Sequence, residues 1–152
     1  MKDAVITPLV SATILAATLA GCSSGHVNAG TQSVSTNGHA KVTVDGKDQN
    51  VTGPVTCQKA GGELQIGIGQ PGSSNAIAVQ ATDSNPPTVH QIALGTVNNV
   101  TLTYQQGAPG ASATATENGD DYKFSGTATG IDKTNLTAGL VSKPFEIDVT
   151  CP

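Results

Sequence analysis

Three thiols, three imidazoles and a small set of carboxylates are the reactive side chains of this sequence, and their spacing limits what they can do. The thiols are Cys22, Cys57 and Cys151 and the imidazoles are His26, His39 and His90. No S-x-x-K or H-E-x-x-H string is present, so the common serine–lysine and zinc-hydrolase motifs are missing. Acid or base chemistry would need Asp121, His90 or Glu63 to be gathered by the fold, and nothing in their spacing predicts that. Asp120 and Asp121 adjoin a turn, where acids are ordinary. Asp45, Asp48 and Asn50 depart from the calcium-loop spacing. Two distant cysteines without paired histidines lack the ligand count for zinc. Gly67-Ile68-Gly69-Gln70-Pro71-Gly72 matches G-x-G-x-x-G, but Pro71 interrupts it and another alternating stretch follows instead of a helix. It reads as a hairpin loop. No metal or cofactor is expected.

Cys22 stands apart from the other two thiols. It follows Leu19-Ala20-Gly21, an apolar stretch from Ala4 to Ala20, and Lys2, whose charge Asp3 offsets. A charged start, an apolar middle and small residues at the end is the layout of a secretory signal. With cysteine next in line it is similar to a bacterial lipobox. In that likeness diacylglycerol alkylates the Cys22 thiol and a peptidase cuts between Gly21 and Cys22. The stretch is too short, and too rich in Thr, Ser and Pro, for a retained membrane helix of roughly 20 apolar residues. Its proline and its lack of amphipathic period argue against a buried core helix.

Cys57 and Cys151 remain, and two exported cysteines most simply form one disulfide. The loop it closes spans most of the domain, which the chain-entropy account values at about 4–5 kcal/mol. Both share the inward side of their strands with valine neighbours, Val55 and Val149.

The chain has 152 residues, a net charge of −4 and no arginine. It is one domain by size, and no basic patch suits nucleic acid. Two tyrosines, two phenylalanines and no tryptophan make a poor stacking platform for bases or sugars. Residues 1–21 are expected to be the signal and 22–40 a disordered Ser/Thr/Gly tether. That tether is too polar to fold and reaches on the order of 25 Å. Residues 41–152 are expected to form the folded domain.

From Lys41 onward the hydrophobic period is two. Val42 and Val44; Leu64, Ile66 and Ile68; Ile77, Val79 and Ala81; Val100, Leu102 and Tyr104; Tyr122 and Phe124; and Phe145, Ile147 and Val149 alternate with polar or small neighbours. His90 falls in the run Thr88–Leu94, counted on the face of Ile92 and Leu94. Asp45-Gly46 and Asn118-Gly119 read as hairpin turns with both residues at positive φ. The second would set Ala113 and Ala115 near Tyr122 and Phe124. Ser84-Asn85-Pro86-Pro87 must leave the sheet. Asp132–Leu140 lacks alternation and is expected to hold a short helical turn. The fold class is all-β: an antiparallel sandwich or a single curved sheet, with one wet face.

Several long strings add up to a family. They are the run from Lys41 to Gly53, KVTVDGKDQNVTG; Gly126–Gly130, GTATG; and Lys143–Cys151, KPFEIDVTC. With Leu19-Ala20-Gly21-Cys22 and the Ser/Thr-rich tether, the chain resembles the mycobacterial nineteen-kilodalton lipoprotein antigens. The resemblance implies a non-enzymatic envelope lipoprotein acylated at Cys22, lipid-anchored on the extracytoplasmic face of the cell membrane and displayed at the cell surface. It implies recognition by the innate receptor Toll-like receptor 2 through the acyl chains. It also implies mannose on tether threonines, here Thr31 and Thr36, and pairing of Cys57 with Cys151. A second reading makes the domain a carrier for an envelope lipid or glycolipid, because Ala111, Ala113, Ala115, Gly126 and Ala128 leave small residues on one face.

Overall fold

The structure, a computed structural model, describes the backbone of residues 32–35 and all of residues 38–152. Eleven strands form one antiparallel sheet: β1 Gln32–Ser35, β2 Ala40–Val44, β3 Lys47–Asp48, β4 Val55–Ala60, β5 Glu63–Ile68, β6 Ile77–Thr82, β7 Val89–Val97, β8 Val100–Gln105, β9 Ser112–Asn118, β10 Asp121–Asp132 and β11 Leu140–Thr150. Hydrogen-bonded neighbours run β1-β4-β5-β6-β7-β8-β10-β11-β2-β3, with β9 added on β10. The sheet curls into a half-barrel, so the curved sheet, not the two-layer sandwich, is the architecture. The inward residues of the alternating runs make one core, with Leu64, Ile92, Phe124, Ala128 and Ile147 fully buried. The helical turn expected within 132–140 is a 3-10 turn at Leu136–Ala138.

Strand β10 makes the curl. One edge pairs with β11 from Asp121 to Ile131. Its other edge pairs with β9 up to Thr127 and with β8 from Thr129. Gly126 and Gly130 flank this exchange of partners. A Cβ on Gly126 would run into the Ser112 carbonyl, and one on Gly130 into the Thr101 carbonyl. Only glycine lets the neighbouring backbones come this close.

Turns set the registers. Asp45 and Gly46 both take positive φ, 56° and 73°, as their sequence predicts. The Asn118-Gly119 expectation is off by one residue. Asn118 is the last strand residue and pairs with Asp121, so the loop is Gly119-Asp120, with only Gly119 at positive φ (66°). Moving a two-residue loop by one position shifts the pairing by two residues, so Tyr122 and Phe124 face inward either way, and the observed register changes only their partners. It sets Ala115 opposite Phe124, Ala113 opposite Gly126 and Glu117 opposite Tyr122. Asn99 forms a two-residue turn with Asn98, at φ 66° and 49°. Asparagine tolerates that left-handed backbone.

Part of the segment read as tether is in the sheet: β1 pairs with β4, Ser33 opposite Cys57. No helix among the described residues is long and apolar enough to cross a membrane.

Candidate functional site

Gly21, Cys22, Thr31 and Thr36 lie outside the described residues, as does His26. Chemistry within the described residues therefore concerns the β-domain. Cys57 and Cys151 are bonded to each other, with Cα atoms 5.8 Å apart and 94 residues between them in sequence. Cys57 is on β4, second from one end of the hydrogen-bonded path, and Cys151 follows β11, third from the other, so the bond joins the sheet across its open seam. The Gly38 backbone packs against Val55 at the same seam, and His39 O accepts the Thr150 N–H at 2.9 Å.

Of the three acid–base candidates, two meet. His90 Nε2 is 3.8 Å from Glu63 Oε1, and Nδ1 is 3.1 Å from Gln106 Oε1. The His90 side chain is 39% exposed and that of Glu63 is 50% exposed. His90 does not share the face of Ile92 and Leu94. A bulge in the β6–β7 pairing, between Gln80 and Ala81, advances β7 by one residue. Val89 takes the inward place and His90 turns out. Asp121 is elsewhere, accepting the Thr150 hydroxyl at 2.6 Å. The trio is not assembled, and the pair that forms stands in water.

The remaining motifs resolve into structure. Gly67–Gly72 covers the end of β5 and the loop to β6, where Gly69 N–H donates to Pro54 O. Asp48 Oδ1 accepts the Asn50 N–H at 2.7 Å, a local turn that occupies the carboxylate. Asp45 takes Lys143 at 2.7 Å. That ammonium holds the Asp45 carboxyl below its usual range. Among the described residues no three His, Cys, Asp or Glu side chains group as metal ligands.

The sequence offered no sign of the cluster built around Lys59. Its ammonium is 2.8 Å from Asp83 and 3.1 Å from Glu117, and 5.5 Å from the centre of the Tyr122 ring. The Tyr122 hydroxyl donates to Glu117 Oε1 at 2.7 Å. Hydrogen bonding to Asp83, then to Tyr122, raises the Lys59 pKa, while burial pushes the Tyr122 hydroxyl up. Lys59 and Glu117 are 58 residues apart. Strand β4 meets β9 and β10 only because the sheet curls, so no local pattern could announce the pairing. The cluster reinforces the seam on the same strand as Cys57.

On the outer face a shallow groove of about 380 Å³ runs over His39, Lys41, Thr116, Lys123, Asp148 and Thr150. Its Lys123 is already shared between Glu146 at 2.8 Å and Asp148 at 3.4 Å. Of the small residues proposed to open a lipid cleft, Ala113 and Ala115 line an open surface hollow with Pro86, Pro87 and Tyr104, and two others are spent in packing. Ala128 is fully buried in the core, and Gly126 is filled by the approach of the Ser112 and Ala113 backbone.

Comparison with known proteins agrees with the strings quoted above. A model of the Mycobacterium 19 kDa lipoprotein antigen matches residues 33–151. The chain is 47% identical over 149 residues to Lipoprotein LpqH of Mycobacterium avium, covering 91% of each chain. It is 44% identical over 161 aligned positions to Lipoprotein LpqH of Mycobacterium tuberculosis, covering 99% of each. A putative lipoprotein of Mycobacteroides abscessus is 32% identical, again over 99% of each.

Proposed function

The chain belongs to the Mycobacterium 19 kDa lipoprotein antigen family, and from that premise we propose a non-enzymatic surface lipoprotein that acts by interaction. Cleavage between Gly21 and Cys22 frees the Cys22 amine, and acyl chains on Cys22 hold the protein on the outer side of the cell membrane. The observation that carries this reading is the whole-length family match together with Leu19-Ala20-Gly21-Cys22 at the right distance from the start. One acyl chain binds a bilayer only marginally, at about 0.8 kcal/mol per buried methylene, whereas two or three hold firmly.

The folded domain then serves as the displayed part. It is cross-linked at its seam, its core is apolar, and its outer face is dominated by Thr, Ser, Gln and paired charges. Host recognition through the acyl chains by Toll-like receptor 2, and mannose on Thr31 and Thr36, belong to the same proposal by family resemblance. The test is Cys22→Ala in the full chain. The variant is expected to leave the membrane fraction and to lose receptor signalling. A variant that still sediments with membrane and still signals overturns the reading.

A further inference from the structure

The large hydrophobic side chains exposed among the described residues are Ile131, Leu136 and Leu140, at 51, 72 and 62%. All three gather at the end of the β10–β11 hairpin. Ile131 and Leu140 are direct cross-strand partners, and Leu136 lies on the 3-10 turn between them. Sheet geometry does not demand this: two pairs along, the same face carries Thr129 opposite Ser142. Scattered exposed hydrophobics are ordinary, but three gathered at one end of the sheet make a candidate contact surface.

Its size and shape favour one occupant. The three side chains expose on the order of 300 Å², well under the ~800 Å² per partner of a stable protein pair. A second copy of the chain is therefore a poor fit. A bilayer needs no complementary shape and accepts projecting apolar side chains one by one. Lys133 adjoins the cluster and has no ion pair among the described residues. The neighbouring Asp132 stays an anion, its Oδ1 accepting the Thr134 N–H at 2.8 Å and the Thr134 hydroxyl at 2.6 Å, so the turn carries one charge of each sign.

Reach selects the membrane. Nine residues lie between Cys22 and Gln32, the first residue of β1. Fully extended, that link spans at most about 35 Å. Gln32 pairs with Gln58, beside the Cys57–Cys151 bond. Leu140 lies eleven residues from Cys151 along β11, about 35 Å at strand rise. A domain lying along the bilayer can thus set its tip on the membrane that holds its anchor. Linkage supplies the high effective concentration that makes so small a contact count.

We propose that Ile131, Leu136 and Leu140 form a second membrane contact, inserting into the leaflet that carries the acyl chains of Cys22. This rests on the acylation reading above. The test uses the mature acylated protein in phosphatidylcholine–phosphatidylglycerol vesicles containing nitroxide lipid. A fluorophore on Leu136→Cys is expected to be quenched several-fold more than one on Gln80→Cys, an exposed site in mid-sheet. In the Leu136→Cys background, Ile131→Asp with Leu140→Asp should abolish most of that quenching with melting unchanged. Equal quenching at both labels overturns the proposal. So does quenching seen only when the nitroxide lipid is in a second vesicle population, or quenching that survives the double aspartate change. Flotation of the same vesicles reads the acyl anchor separately, so failure of the anchor and failure of the tip are told apart.

Discussion

Cys57 on β4 is bonded to Cys151, the residue just past β11, and so ties together two strands that are six steps apart along one hydrogen-bonded path. The backbone ladder alone leaves this seam open. Cys57→Ala or Cys151→Ala is therefore expected to cost about 2–5 kcal/mol, a large share of a small domain's total. Urea unfolding of the oxidised protein and of each variant checks this. A Cys57→Ala protein with the wild-type midpoint would mean that β1, β2 and the Lys59 cluster close the seam unaided.

Lys59 is the polar counterpart of that bond. Lys59→Met removes the cation shared by Asp83 and Glu117 and leaves Glu117, whose side chain is only 14% exposed, with Tyr122 as its remaining partner. Because the ammonium is partly in water, a loss of about 1–2 kcal/mol is expected. A double-mutant cycle with Glu117→Gln isolates the pair, and a coupling near zero would place the seam's strength in the disulfide alone.

The pH dependence follows from the same residues. Lys59 and Tyr122 both have folded pKa values above the ordinary 10.5 and 10.0. Their contribution is complete below about pH 10 and is lost as pH rises toward the folded values. Asp45 and Glu146 are held below the ordinary 3.8 and 4.5 by Lys143 and Lys123. Their contribution is present above those values and is lost as pH falls through them. Urea midpoints are expected to be flat between about pH 5 and 9 and to fall on both sides. Tyr122→Phe should flatten part of the alkaline fall while leaving the acid one as it was.

Gly126 separates close packing from an open cleft. Gly126→Val is expected to destabilise by about 2–3 kcal/mol, because its side chain meets the Ser112 and Ala113 backbone. A domain with a lipid-sized space on that face would accept the valine without loss. Thermal melting of the variant decides between the two.

The β9–β10 turn offers a test of register. Gly119→Ala should cost about 1–2 kcal/mol, since alanine resists positive φ. Asn118→Thr, at a strand position paired with Asp121, should change stability by less than about 0.5 kcal/mol. The reverse ranking would return the turn to Asn118-Gly119.

Much of this protein was legible in one dimension. Period-two runs such as Leu64-Ile66-Ile68 and Phe145-Ile147-Val149 named their buried faces, because side-chain alternation is a property of each strand alone. Sorting three cysteines by position identified the Cys57–Cys151 pair. Asp45-Gly46 declared its own turn. What the sequence could not carry is everything that depends on which strands meet. The bulge that turns His90 outward is a mismatch between β6 and β7. The one-residue shift of the loop at Gly119 decides which β9 residues face Tyr122 and Phe124, and the turn residues alone do not announce it. The exchange of partners along β10, the Lys59 cluster and the joined Ile131–Leu140 tip arise only when distant backbones come within contact distance. Local patterning sets what each strand buries, but curvature and register decide what it buries it against.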